Sequence, residues 1–490
     1  MTTLRKPFRG VVNTMPLDRR SAKPLHRQIY DEFRERILRG DLGAGDAVPS
    51  TRQLARDLHI SRLPVVEAYS QLQAEGYFET RTGSGTYISR SLQLAPPANL
   101  APSPSGSQRS RRVSSRAMRL PKYERPVWAD NLGPFQVGQP DLHDFPADIW
   151  SRLVGRYARS IHVKSLQYGG PFGMPELRIA IATYLRTSRG VRCTAEQIMI
   201  TSGSQQALDL SLRVLLDPGD QVWIEEPGYW LIHHLLRASG CRAIPVPVDA
   251  EGLNVEHGLR LARKARAAFV SPSHQYPLGV TMSAVRRLQL LEWAKVVHAW
   301  IIEDDYDSEY RYDSMPIGSL QGLDRWDRVI YIGNFSKVMF PAMRLGYLVV
   351  PMDLTERFAS VRQTMDICPA HMNQAAMANF IGEGHFARHI RRMRPVYAER
   401  RSVLVAELER ELTQSQIMGG EAGMHLSLVS RTPIDDQRIA SEAAMQSLWL
   451  SPLSASYSGR SSQSGFVLGF GNTRVSQIPR AVQMLSRLLG

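Results

Sequence analysis

The chain has 490 residues, 43% of them hydrophobic and 22% charged, which is ordinary for globular proteins but too long for one core. Its apolar runs stop short of the ~20 residues of a membrane span, and MTTLRKPFRGVV lacks the apolar stretch of an export signal. Cys193, Cys241 and Cys368 are too widely spaced for a disulfide framework or a metal motif, so the expectation is a reduced, cytoplasmic protein without a metal site.

The net charge of +14 is uneven: residues 1–90 carry 15 Lys/Arg against 10 Asp/Glu, residues 91–127 carry 7 against 1, and about +3 is left for the rest. This basic end coincides with a helical unit. Leu25, Ile29, Phe33 and Ile37 recur every four residues, with Tyr30 and Leu38 beside them, and predict an amphipathic helix. After GDLGAGDAVPS, Ser50 and Gln53 have the capping-box spacing and open the short helix TRQLARDL. Ser61 is the expected cap of a second helix through VVEAYSQLQAE, ended by Gly76. Two short helices with a tight turn form a helix-turn-helix, and YFETR and TYIS around TGSG add a β wing. Together with the positive charge, the pattern points to double-stranded DNA.

These residues resemble the winged-helix domain of the GntR regulators, through PLHRQIYDEFRERILRG, VPSTRQLARDL and EAYSQLQAEGYFETRTGSGTYIS. The resemblance implies that Arg52 and Arg62 contact phosphates or bases, that Thr51 contacts phosphate, and that Gly83 lets the wing approach a groove. Leu63-Pro64 departs from the small polar pair usual there. A proline is tolerated in a first helical turn, but the pair removes polar groups that would meet DNA.

Residues 91–127 are rich in Pro, Ser and Arg without apolar periodicity and read as a flexible basic linker. From about 130 onward apolar strands alternate with helices: QIMITSG then SQQALDLSLRVLL, DQVWIEEPGY then WLIHHLLRAS, RAAFVSPSH then SAVRRLQLLEWAKVV. Such alternation implies a mostly parallel, doubly covered sheet, whose ligands bind at the carboxyl ends of the strands. There the sequence places TSGSQ, EEPGY, SPSHQYPLG, EDDYD and FSK.

Lys337 sits between two apolar runs in VIYIGNFSKVMFPAMRLGYLVV, with Arg344 seven residues on, and AWIIEDDYDSEYRY supplies acids and a tyrosine after another apolar strand. A buried ammonium is costly unless something consumes or balances its charge. Lysine, arginine, aspartate and tyrosine together suit pyridoxal phosphate: a Schiff-base lysine, an arginine on the phosphate, an aspartate at the pyridine nitrogen and a tyrosine at the ring hydroxyl.

From about 130 to the C-terminus the chain resembles fold type I, class I aminotransferases, and specifically the MocR/GabR group in which that fold follows a GntR domain. The motifs LQYGGPFGMPELRIAIATYL, TSGSQQALDL, EEPGYW, SPSHQYPLGVTM, IIEDDYDSEYRY and GNFSKVMFPAMRLGYLVVP occur in order. The resemblance implies that Lys337 forms the Schiff base (the catalytic residue if there is turnover) and that Ser336 and Arg344 hold the phosphate with Ser204 and Gln205, which open a helix. It also implies that Tyr229 stacks on the ring, that Asp304 meets the pyridine nitrogen, and that Tyr306 meets the ring hydroxyl. Tyr168 matches a residue that reaches the phosphate across a dimer interface. Glu303 and Asp305 are expected to be solvated or paired elsewhere, and the choice among His274, Gln275 and Tyr276 near the ring hydroxyl stays open.

Amino-acid turnover needs a cation for the substrate carboxylate. Two positions where such family members carry arginine hold Val467 and Leu231, leaving Arg460 or the group Arg391, Arg392 and Arg394 as substitutes. The expected protein therefore has a winged helix (18–90), a linker (91–127) and large (128–370) and small (371–490) aminotransferase-like domains. It is expected to be a homodimeric, DNA-binding regulator that senses the cofactor or its adduct with an amine or amino acid. The alternative is a working aminotransferase with an accessory winged helix.

Overall fold

Ile29, Tyr30, Phe33 and Ile37 form the buried stripe of helix α1 (Leu25–Arg39), while Leu38 lies off that stripe and is exposed. The computed structural model describes residues 15–92, 113–123, 131–312 and 317–490, in two units divided between Arg111 and Arg112. The first 14 residues, most of the basic linker and the 127/128 boundary lie outside the described residues.

In the first unit, Ser50 accepts the Gln53 amide at 3.1 Å and opens α2 (Thr51–Asp57). The cap expected of Ser61 is not made: it stands at the start of α3 (Arg62–Ala74), but its side chain makes no capping hydrogen bond. Gly76, just past α3, has φ +78°, a left-handed value that glycine adopts at no steric cost. Strands β1 (Phe78–Arg81) and β2 (Gly85–Ile88) pair antiparallel as the wing. Phe33, Tyr69 and Phe78 meet edge to face at 5.0–5.7 Å and tie α1, α3 and the wing into one core.

The second unit begins with a short turn of helix, α4 (Ser115–Met118), inside the stretch expected to be linker, where the Ser114 hydroxyl accepts the Ala117 amide. Helices α5 (Ala147–Arg159) and α6 (Pro175–Ser188) follow. Then strands and helices alternate: β3 (Ile198–Thr201), α7 (Ser204–Leu215), β4 (Gln221–Glu226), α8 (Trp230–Ser239), β5 (Arg242–Asp249), β6 (Gly252–Leu253), α9 (Val255–Ala262), β7 (Ala267–Val270), α10 (Ala284–Val297), β8 (Trp300–Asp305), α11 (Leu320–Leu323), β9 (Val329–Asn334) and β10 (Gly346–Val349). They build one sheet in the order β3-β10-β9-β8-β7-β4-β5-β6.

The sheet is mostly parallel, as expected, with two reversals. Strand β6 turns back on β5, and β10 runs antiparallel to both β9 and β3. The link from β9 to β10 holds only a 3-10 turn, too little chain for the crossover that parallel neighbours need. The carboxyl ends of β3, β4, β7, β8 and β9 therefore share one edge with the amino end of β10. Strands β3, β7 and β9 are buried along their whole length, as a doubly covered sheet requires.

Helices α12 (Thr355–Met365), α13 (His371–Gly382) and α14 (His385–Glu411) lead to a second, antiparallel sheet. Its strands β11 (Ser415–Met418), β12 (His425–Ser430), β13 (Ser451–Pro452) and β14 (Gly465–Gly469) lie in the order β11-β12-β14-β13, with α15 (Asp436–Ala444) before β13 and α16 (Ile478–Leu489) last. The chain's earlier segment joins this sheet, since Gly469 donates to the Phe135 carbonyl at 3.0 Å and Trp449 to that of Pro134 at 3.1 Å. Residues 131–138 thus reach the edge where the strand ends of the large sheet converge. No described helix is long and apolar enough to cross a membrane.

Candidate functional site

That edge holds a cavity of about 1210 Å³. Lys337, in the turn after β9, lines it and donates from Nζ to the Gly138 carbonyl at 2.9 Å. A Cβ at Gly138 would stand 2.3 Å from that nitrogen, and the residue has φ +72°, so both space and backbone call for glycine. Burial pushes the Lys337 pKa down, while Asp307 and Asp304 oppose the shift. A lysine so placed holds a larger share of neutral, nucleophilic amine than one in water.

Asp304, at the end of β8, also lines the cavity. Its Oδ1 is buried without a hydrogen-bond partner, and burial with neighbouring Asp305 raises its pKa to about 7. Glu303 and Asp305 are both paired inside the protein, so neither is solvated. Glu303 accepts the amides of Leu320 and Gln321 at 2.8 and 2.9 Å and caps α11. Asp305 binds Arg189 at 2.8 Å and the Tyr331 hydroxyl at 2.6 Å.

Tyr306 lines the cavity with its hydroxyl 3.4 Å from His274 Nδ1. Of the three candidates nearby, Tyr276 is in the wall, whereas His274 and Gln275 are turned inward. His274 pairs with Asp307 at 2.9 Å, and Gln275 donates to the Pro227 carbonyl at 2.9 Å. Tyr229, after β4, lines the cavity and accepts from Gln205 Nε2 at 2.8 Å.

Ser204 and Gln205 form the first turn of α7, whose leading N–H groups have no intrahelical partner. Gly203 precedes them at φ +104°, and a Cβ there would stand 3.1 Å from an Arg344 guanidinium nitrogen. Ser336 and Arg344 complete this corner of the wall. A helix N-terminus, two serines and a guanidinium make an anion cradle.

Tyr168 is 84% exposed and absent from the cavity wall of its own chain. Of the two positions that hold no arginine, Leu231 lines the cavity, while Val467 is buried in β14 against Leu278, Val429 and Leu453. The substitutes named from the sequence do not enter. Arg460 and Arg391 are exposed outside the wall, Arg392 donates to the Asp144 carbonyl, and Arg394 donates to that of Glu309.

The sequence reading missed Gly138, Asp307, His274 as its partner, and His425. His425 comes from β12 in the second sheet, lines the cavity and stacks within 18° of the Tyr306 ring. Burial and the adjacent His274 hold its pKa well below the usual imidazole range, so it is neutral. Donor atoms of His274, Asp307 and His425 lie within 4.8 Å of one another, and Asp307 already serves His274 and the Met424 amide. No local motif marks Gly138 or His425, because the second sheet and the 131–138 segment meet the cavity only through tertiary folding, whereas Asp307 and His274 stand inside EDDYD and SPSHQYPLG.

In the first unit, Arg62 Nε donates to Thr51 Oγ1 at 3.1 Å, so the first residues of α2 and α3 are tied together. Arg52 and Arg62 are exposed, and Gly83 in the wing turn has φ +76° with open space around it. Leu63, beside Arg62, is 65% exposed, an apolar group at the front of the second helix.

The cavity fits pyridoxal 5'-phosphate: an orphaned buried carboxylate oxygen for a ring N–H, a lysine, an aromatic wall and an anion cradle. Comparisons with known proteins agree. Residues 25–88 match the bacterial regulatory proteins of the gntR family, and residues 146–453 match aminotransferase class I and II. The chain is 41% identical over 93% of its length, and 91% of the relative's, to the probable rhizopine catabolism regulatory protein MocR of Rhizobium meliloti. It is 34% identical, over 91% of each chain, to the HTH-type pyridoxine biosynthesis transcriptional regulator PdxR of Corynebacterium glutamicum. The structure of Pyrococcus horikoshii kynurenine aminotransferase in complex with PMP aligns with a TM-score of 0.71 at 28% identity, covering 77% of this chain and 96% of that one. The chain belongs to the MocR-type transcriptional regulators, which join a GntR DNA-binding domain to an aminotransferase-like domain whose cofactor is pyridoxal 5'-phosphate.

Proposed function

We infer that this regulator senses its cofactor, or an amine captured by it, and reports the occupancy to operator DNA. The observation that carries the reading is the buried, unpartnered Oδ1 of Asp304 in the same cavity as Lys337. A carboxylate left without a partner costs stability, and a cationic ring N–H restores what burial removed. When bound, the cofactor supplies an aldehyde able to exchange its lysine link for a primary amine.

Lys337 Nζ makes the covalent link. Asp304 holds the proton of the ring nitrogen. Tyr306, steadied by His274 and Asp307, donates to the ring hydroxyl. Tyr229 lies against the ring, while Ser204, Gln205, Ser336 and Arg344 hold the phosphate. In the first unit, Arg52, Arg62 and Thr51 contact phosphates or bases, and the wing enters an adjacent groove at Gly83.

A homodimer suits this reading. Ile161, Val163, Leu166 and Tyr168 are exposed within eight residues, a patch of the kind that a second copy covers. Tyr168 then completes the phosphate site of the second copy. The absence of a membrane-crossing helix among the described residues accords with a cytoplasmic protein.

The test is the visible absorbance of purified protein after incubation with pyridoxal phosphate. Wild type is expected to turn yellow and Lys337→Ala to remain folded and colourless. A wild type that stays colourless in excess cofactor would overturn the reading.

A further inference from the structure

Past the cofactor, the cavity is far larger than the groups assigned to it, and its remaining wall is neutral. Among the described lining residues, Lys337 and Arg344 are the only ones with a positive charge, and the cofactor reading uses both. His425 adds no charge, since burial and His274 hold its imidazole neutral. Asp304 and Asp307 face the same space and disfavour a second anion.

The far wall comes from one face of α15. Gln437, Ala440, Ser441 and Ala444 line the cavity at i, i+3, i+4 and i+7, which is a single helical stripe. Two alanines on that stripe leave room, while the amide and hydroxyl offer neutral hydrogen bonds. Ser447 and Ser451 extend this surface, and the apolar side chain of Leu231 closes it.

Three further wall residues have polar atoms that are buried and unpartnered, Gln136 Oε1, His425 Nε2 and Trp449 Nε1, on residues only 5%, 2% and 7% exposed. Leaving such atoms unpaired is costly, so they point to a ligand that supplies hydrogen bonds. A hydroxyl both donates and accepts and so suits an amide, an imidazole and serines alike. A carboxylate only accepts, and it needs a cation to leave water.

We propose that the effector is a primary amine bearing hydroxyl groups and no carboxylate. The inference rests on the cofactor reading for its amine-capturing step and goes past it to the rest of the ligand. The new carbon–nitrogen bond forms between the ligand's amine and the cofactor's aldehyde carbon. The bond from that carbon to Lys337 Nζ breaks, and the lysine leaves as a free amine. Neither oxidant nor reductant is needed.

The experiment uses full-length protein loaded with cofactor and two probes, 2-amino-2-deoxyglucitol and 2-amino-2-deoxygluconate, which differ only in a hydroxymethyl group against a carboxylate. Binding is followed by calorimetry and by the shift of the visible band. The glucitol is expected to bind at least about tenfold more tightly. Leu231→Arg is expected to reverse that order while keeping the band, and Gln136→Leu to weaken the glucitol at least about fivefold without helping the gluconate. Equal or tighter binding of the gluconate to wild type overturns the proposal. So does a yellow protein that binds neither probe, which leaves the cofactor reading standing. A colourless protein overturns the cofactor reading and this inference with it.

Discussion

Asp304 and Asp305 are neighbours at the end of β8, yet Asp305 binds Arg189 and Tyr331 through Oδ2 away from the cavity, while Asp304 lines the cavity wall. Alternation along a strand sends adjacent side chains to opposite faces, so two chemically identical residues acquire different tasks.

Their substitutions are therefore expected to separate. Asp304→Asn should keep the fold and lose most cofactor affinity, seen as loss of the visible band at limiting cofactor. Asp305→Asn strands the Arg189 charge, which is 3% exposed, and should cost about 3–5 kcal/mol in denaturant unfolding. Equal effects of the two variants on cofactor binding would remove the distinction.

Stability of the cofactor-free protein should fall as pH rises from about 4 to about 8. Burial lifts Glu225 to about 8 and Glu303 and Asp304 to about 7, above the ordinary carboxylate range. At these three carboxyls the folded state binds more protons than the unfolded state across that window, and each proton lost on raising the pH weakens it, while the depressed imidazoles of His389 and His425 oppose the slope in the acid half. Loading the cofactor should flatten the profile by supplying Asp304 with a cationic partner. Thermal melts across the window, with and without cofactor, check both the slope and its change.

On DNA, Arg62→Ala is expected to weaken operator binding by about 1–3 kcal/mol if the guanidinium reads a base. Thr51→Val, which removes the hydroxyl that accepts from Arg62, should reproduce part of that loss. Titrations at several salt concentrations check the origin: loss of one phosphate contact lowers the salt slope by about one, whereas loss of base reading leaves it unchanged.

Much of this was legible in the sequence, for identifiable reasons. The period-four stripe of α1, the Ser50–Gln53 spacing and the alternation of strands with helices are local signals, and each produced its element. The cavity residues at strand ends were readable because a parallel sheet gathers them at one edge. The reversal of β10 was not read, although it places Arg344 at that edge beside Gly203. Gly138 and His425 were invisible because they come from distant segments joined by the pairing of Phe135 with Gly469 and by the second sheet. Ser61 shows the opposite limit, a favourable cap residue in position whose side chain makes no cap bond.

The central claim is that occupancy of the Lys337 cavity is felt at the operator. Linkage requires that cofactor change DNA affinity and that DNA change cofactor affinity by the same factor, typically about 5–150-fold. The direct measurement is operator affinity and footprint for one preparation of the protein, cofactor-free and cofactor-loaded, at one salt concentration. The two states are expected to differ in affinity or in the length of DNA protected, a difference abolished by Lys337→Ala. Identical affinities and footprints in the two states would contradict it and leave the aminotransferase fold as a dimerisation module alone.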